Sequence, residues 1–234
     1  MTYELGLWSV EVPADEAELE RLARALTPDE RRSAEGLRDD ARDRFVTGRA
    51  ALRRLLGEHL ACPPEEVPLV LGAEGKPALD PRAGSTLHFS VAHSGALALI
   101  ATAAFEVGVD VEAPRTIRDP VGLAARFFMP TEREHVERAP ADRRERRFLE
   151  LWTAKEAVLK ATGRGLAGLE EVELAFGPGG EPSGAIGGGQ PWEVRCFEPA
   201  PGHVAAVAAR ELPSTVGPPR TPAGLQPGLA RRQP

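Results

Sequence analysis

Residues 86–112 constrain the fold of this 234-residue chain more than any other stretch. Three runs follow one another, TLHFSVAHSG, ALALIATAAF and EVGVDVE, broken by His93-Ser94-Gly95 and by Gly108. Apolar and β-branched residues that alternate or run at this length predict strands. Long helical patterns flank them. Over 37–60, Ala41, Phe45, Leu52, Leu56 and Leu60 make one apolar stripe, ended by Pro63-Pro64. Helical spacing returns near 119–138, after Pro114. It is strongest over 143–162, where Phe148, Leu151, Trp152, Val158, Leu159 and Thr162 share a face and Gly163 stops the helix. Short strands are predicted at 169–176, 192–198 and 203–209. Similar helices and hairpins on both sides of residue 107 predict an α+β fold of two comparable halves, 1–106 and 107–212.

Glycine and proline punctuate the remainder. Residues 177–189 hold seven glycines in thirteen positions, which reads as a mobile loop. Residues 213–234 hold six prolines in twenty-two, which reads as a disordered tail. The first residues lack a basic region followed by an apolar core, and the longest apolar run, Ala96–Phe105, is only strand-sized. Cys62 and Cys196 are lone and far apart. A cytoplasmic protein without membrane spans is therefore expected. A net charge of −6 argues against a nucleic-acid partner.

Of 29 basic residues only three are lysine: Lys76, Lys155 and Lys160. In so arginine-rich a chain, these are read as sites that need a compact ammonium rather than a planar fork. In Val107-Gly-Val-Asp-Val-Glu112, strand alternation puts Asp110 and Glu112 on one face and the three valines on the other. Two acids without a cation suit either water or a shared hard cation such as Mg²⁺. In Trp152-Thr-Ala-Lys-Glu-Ala-Val-Leu-Lys160, Trp152, Glu156 and Lys160 are one helical turn apart, whereas Lys155 falls inside the apolar stripe. A lysine there must reach an edge or an anion. Arg42, Arg49 and Arg53 lie close to one line on the first long helix, a pattern also met on solvated faces.

Read in order as GKP…HFSVAHSG…GVDVE…FFMPTERE…WTAKEAVLKATGRGL, these segments resemble the Sfp-type phosphopantetheinyl transferases from about Arg44 to Leu166. All three lysines fall inside them. The resemblance implies a pseudo-dimer of two α/β halves with the active site in the cleft between them, and coenzyme A as co-substrate. Phosphopantetheine would pass to a serine of an apo acyl or peptidyl carrier protein, releasing adenosine 3′,5′-bisphosphate. It further implies that Asp110, Glu112 and Glu156 bind Mg²⁺, with Mn²⁺ as a substitute. Glu156 would be the general base and Lys160 would stabilise the leaving phosphate, with Lys155 on phosphate beside it. Lys76 and Pro77 would line the adenine and phosphate region, and His93 and Arg49 would hold the ribose phosphate, with Arg53 one turn on. The implied enzyme is a monomer.

The family's F-N-x-S-H-S stands here as Phe89-Ser-Val-Ala-His-Ser94, so a usual serine is Ala92, and residue 111 is valine rather than a third acid. Residues 115–147 carry nine arginines against six acids, with Phe127, Phe128 and Met129 as apolar knobs. Such a surface suits transient docking of an acidic carrier. Two other readings use the same residues: a non-catalytic coenzyme A or carrier-binding protein on this scaffold, and another Mg²⁺-dependent phosphoryl enzyme such as a nuclease.

Overall fold

The computed structural model describes residues 5–13, 15–72, 75–223 and 225. Strand β1 (Gly6–Glu11) leads into three helices, α1 (Glu16–Ala23), α2 (Pro28–Glu35) and α3 (Asp39–Leu60). A small hairpin of β2 (Leu69–Leu71) and β3 (Pro77–Leu79) follows, then β4 (His88–Ser94) and β5 (Leu97–Ala103). The second half runs β6 (Val107–Glu112), α4 (Pro120–Phe127), α5 (Pro130–Glu137) and α6 (Arg144–Thr162). It ends in β7 (Glu173–Phe176), β8 (Pro182–Gly187), β9 (Gln190–Phe197) and β10 (Val204–Ala209). The class is α+β, as predicted. One sheet has the order β1-β5-β4 and the other β6-β10-β9-β8-β7, both antiparallel.

Local chemistry sets the element ends. Thr27 and Glu30 form a reciprocal capping box at the start of α2, with Pro28 at its first position. Asp119 caps α4 by accepting from the Gly122 N–H, and Gly163, at φ 72°, closes α6. The expected helical region at 119–138 is two helices. Pro130 cannot donate a backbone hydrogen bond, so the chain breaks at Phe128-Met129 and restarts with Glu132 in the first turn.

Three apolar clusters hold the fold. Helix α3 covers the first sheet, burying Val46, Leu52 and Leu56 with Phe89 and Ile100. On its other side it meets α1 and α2, so it is buried nearly all round from Val46 to Gly57, a wider contact than the single stripe predicted. Helices α4 to α6 cover one face of the second sheet, where Phe148, Leu151 and Val158 pack with Trp192, Val194 and Ala206. The third cluster joins the sheets: Val107, Val109 and Val111 pack with Ala92, Leu97, Leu99 and Ala101. Beside it, β4 lies along β6 without a backbone ladder. The Ser90 hydroxyl accepts from Val109 N–H (3.1 Å) and the Ser94 hydroxyl from Ala113 N–H (3.0 Å).

Two expectations are corrected. The glycine-rich stretch contains β8. Gly188 and Gly189 make the tight turn into β9 at φ 59° and 72°, and Gly187 leaves room for Val158, whose Cγ1 would lie 2.5 Å from a Cβ there. The proline-rich segment after 212 also packs. Residue 220 forms a parallel bridge to Trp8, exchanging backbone hydrogen bonds with Leu7 and Ser9 at 2.9 Å. The Arg220 guanidinium lies 4.3 Å above the Trp8 ring, and Leu225, 6% exposed, joins the core under α3. An apolar anchor and a strand edge thus supply the ordering energy that proline content alone did not suggest. The rest of the predicted tail, 226–234, lies outside the described residues. No helix among the described residues is long and apolar enough to cross a membrane.

Candidate active site

The site is built where α6 crosses β6. Alternation turns the β6 valines toward the first sheet and leaves Gly108, Asp110 and Glu112 facing the helix side. At residue 108 a Cβ would come within 1.9 Å of the Ala157 carbonyl oxygen and 2.4 Å of Ala161 N, so glycine lets strand and helix touch backbone to backbone. That contact brings the next turn of α6 over Asp110, where the Lys160 ammonium donates to Asp110 Oδ1 at 2.7 Å. Asp110 is 8% exposed, and burial raises its carboxyl above the usual range although Lys160 opposes the shift. Glu156, one turn before Lys160, is pushed up to about 7, first by burial and then by the Asp110 charge, with Lys160 opposing and Glu112 adding to the rise.

The first half supplies the other wall. Ser94, at the end of β4, donates to Glu112 Oε2 at 2.9 Å, and Arg115 pairs with the other oxygen at 3.1 Å. His93 is exposed at the rim, yet it is held below its ordinary value by the surrounding protein mass, then by Lys160 and Arg44. A cleft of about 320 Å³ opens between the halves, lined by Lys76, Pro77, Ser90, Glu156, Lys160 and Arg164 among others. Burial depresses the Lys76 ammonium, which donates across the cleft to the Lys160 backbone oxygen. Of the residues singled out from the sequence, Lys76, Pro77, Glu156 and Lys160 line the cleft, Asp110 joins them through its bond to Lys160, and Glu112 and His93 lie close enough to act on Glu156 and to feel Lys160. Arg44 was missed. Its signal was Gly48, one helical turn on, because a glycine inside a helix marks the face that meets a sheet, here Val91 and Ala98.

Lys155 does not enter the cleft. It is 0% exposed, pairs with Glu132 Oε2 at 2.7 Å, donates to the Val172 carbonyl at 2.6 Å and lies 5.6 Å from the Phe128 ring centroid. The anion it required is a carboxylate on α5, not a phosphate, because position 155 points one hundred degrees away from Glu156 into the core. Arg53 is corrected likewise. It is 3% exposed, forks onto both Glu30 oxygens at 2.6 and 2.9 Å and donates to the carbonyls of Pro64 and Val67. Arg49 also turns to Glu30, at 3.3 Å, and Arg42 to Glu16. The arginine line on α3 therefore holds α1 and α2, whose acids the sequence reading had not placed. Ala92 is 1% exposed and faces the valines of β6, so its missing hydroxyl is an interior one.

The donor chemistry of Asp110, Glu112 and Glu156 fits a hard divalent cation: all are carboxylates, and burial with mutual repulsion raises two of them. As placed, no three His, Cys, Asp or Glu side chains among the described residues form a ligand group. One Asp110 oxygen accepts from the Lys160 ammonium.

A sequence profile of the 4′-phosphopantetheinyl transferase superfamily matches residues 106–208, which carry the β6–α6 pair. The 4′-phosphopantetheinyl transferase HetI of Nostoc sp. is 38% identical over 208 residues, covering 88% of this chain and 87% of its own. The transferase psf-1 of Bacillus pumilus is 33% identical over 152 residues, 64% of this chain and 63% of that one. Sfp of Bacillus subtilis is 25% identical over 201 residues, 84% and 88% of the two chains. With that extent of shared sequence, the chain belongs to the 4′-phosphopantetheinyl transferases.

Proposed function

We propose that this enzyme moves 4′-phosphopantetheine from coenzyme A onto a serine hydroxyl of apo acyl or peptidyl carrier domains. The serine oxygen bonds to the pantetheine-bearing phosphorus as the bond to the bridging pyrophosphate oxygen breaks. Adenosine 3′,5′-bisphosphate leaves, and the hydroxyl proton passes to the Glu156 carboxylate. The observation that carries this reading is the cleft itself: the Glu156 carboxyl lines it beside Lys160, with Lys76 on the facing wall, which sets a carboxylate base and two ammonium groups around one space. Lys160, one turn away, is placed to meet charge gathering on the leaving phosphate, and Lys76 adds a second ammonium from the opposite wall. Asp110, Glu112 and Glu156 would hold Mg²⁺ or Mn²⁺, which when bound supplies charge neutralisation for the pyrophosphate. Arg44 and His93 would take the ribose phosphate in the place predicted for Arg49 and Arg53.

The carrier surface is narrower than the arginine count suggested. Arg115, Arg133, Arg138, Arg146 and Arg147 all pair with acids. Phe128 is 8% exposed, with its ring centroid 5.0 Å from that of Phe148. Leu123 and Met129 stay exposed, and Arg118, Arg126 and Arg143 have no ion pair among the described residues. This reading docks an acidic carrier on Leu123, Arg126 and Met129. The two halves are read as a pseudo-dimer, and the enzyme as a cytoplasmic monomer.

The test is the intact mass of apo carrier proteins after incubation with the protein, coenzyme A and Mg²⁺. A gain of one phosphopantetheine, lost with chelator and with Glu156→Gln, is the expected result. No gain on any carrier while coenzyme A binds would overturn it.

A further inference from the structure

We infer that Glu132 and Lys155 are positioning residues, a buried latch that fixes the roll of α6 and so aims Glu156 and Lys160 into the cleft; this rests on the proposed role of Glu156. Where α6 crosses β6 its face is smooth, the larger Phe148, Leu151 and Val158 packing instead with Trp192 and Val194 of β9. Ala154, Ala157 and Ala161 pack there with Ala206, Ala208 and Gly108. Small side chains set the distance between helix and sheet closely but offer few knobs against rotation. A carboxylate carried about 6 Å from the helix axis moves about 2 Å for a roll of about 20°.

The latch supplies the direction that the alanines do not. Lys155 adjoins Glu156 in the chain, and its ammonium is held on two sides, by Glu132 Oε2 at 2.7 Å and by the Val172 carbonyl at 2.6 Å. Glu132 is itself held on two sides. Its Oε1 accepts from Leu174 N–H and its Oε2 from Met129 N–H, both at 2.9 Å. The two side chains tie α6 to the start of α5 and to the strand entering β7 through four directional bonds, all inside a region 0% exposed at both residues. Buried ion pairs are poor sources of net stability, and in some proteins their role is instead to specify one arrangement over its neighbours. Neither residue touches the cleft, so the pair acts on the reaction only through the residue next to it.

The test separates aim from stability. Glu132→Leu with Lys155→Met removes both charges at similar volume but also leaves the Met129 and Leu174 N–H groups and the Val172 carbonyl without their side-chain partners, so stability should fall as well and the rate must be read per folded site. Glu132→Gln keeps one acceptor and loses the other. Each is assayed for kcat and for KM toward coenzyme A, with active sites counted by the stoichiometry of coenzyme A binding so that unfolded molecules do not enter the rate. The expected result is kcat per site down about tenfold or more in the apolar pair and by less in Glu132→Gln, with KM within about twofold in both. Parental kcat per site in the apolar pair would overturn the inference. Should that pair not fold, parental kcat per site in Glu132→Gln would overturn it. A parent that transfers no phosphopantetheine would instead sink the proposed function.

Discussion

Replacing Gly108 with alanine tests the backbone contact on which the site is built. The new Cβ would lie 1.9 Å from the Ala157 carbonyl oxygen, 2.4 Å from Ala161 N and 3.0 Å from the Ala157 carbonyl carbon. A carbon and a carbonyl oxygen sit comfortably at about 3.3 Å, so α6 must retreat from β6 by about 1.4 Å. None of the three atoms is a flexible side-chain tip, and the retreat has to be taken by the helix itself. Ala157 stands between Glu156 and Lys160, so both move with it, and the 2.7 Å bond from Lys160 to Asp110 stretches past hydrogen-bonding range. Overpacking of this kind costs about 1–3 kcal/mol. For a chain of this size that is a melting temperature lower by about 2–12 °C. Displacement of the reacting groups by about 1 Å costs roughly a hundredfold in kcat. The assays are urea unfolding, thermal melting and transfer rate at saturating coenzyme A and carrier. Gly84→Ala is the control: residue 84 has φ 65° with nothing within 4 Å, so it loses about 1 kcal/mol of stability and keeps kcat. A Gly108→Ala protein with parental melting and parental kcat would refute the reasoning.

Other consequences follow from single residues. The Glu156 carboxyl lies at about 7 when folded, against 4.5 for the free group, so the folded chain keeps a proton the unfolded chain has given up between those values. The metal-free protein therefore loses stability as pH rises from about 4.5 to 7. Glu156→Gln removes that loss, so its melting temperature should exceed the parent's by more at pH 8 than at pH 5; an equal margin at both would contradict the assignment. Arg53→Ala leaves Glu30 half-buried without its fork and frees two carbonyls, which should lower stability by about 3–5 kcal/mol in urea. KM for coenzyme A should stay put, and a raised KM with parental stability would return Arg53 to the ligand. Ending the chain after Leu212 removes the bridge to Trp8 and the burial of Leu225. That should cost at least about 2 kcal/mol by the same measurement, and an unmoved midpoint would mean the segment contributes nothing.

What could be read from the sequence was what neighbours in the chain determine. Alternation in β6 put Asp110 and Glu112 on one face, and helical spacing put Glu156 and Lys160 one turn apart on α6. A lysine in the apolar stripe needs an edge or an anion, and Lys155 has the anion. Which anion was not legible, because Glu132 is 23 residues away and is announced only by its place after Pro130 in the first turn of α5. The α3 arginines were misread for a similar reason: their partners, Glu16 and Glu30, lie on α1 and α2, short helices that the pattern did not reveal. Strand β8 hid behind glycines that serve a turn and a close approach rather than flexibility.

The strap that ends in residues 220–225 has a consequence for synthesis. Strand β1 is made well before the segment that covers it, and one of its edges is taken by β5. The other edge waits for Arg220, whose backbone hydrogen bonds to Leu7 and Ser9 span more than two hundred residues of sequence. At about 5–20 residues per second, the interval between making the strand and making its cover is roughly 10–40 s. For that time an open strand edge, the kind that recruits other chains, is exposed on the nascent protein. A segment made later closes a strand made earlier, so a chain cut short before Arg220 would be left with that edge unsealed.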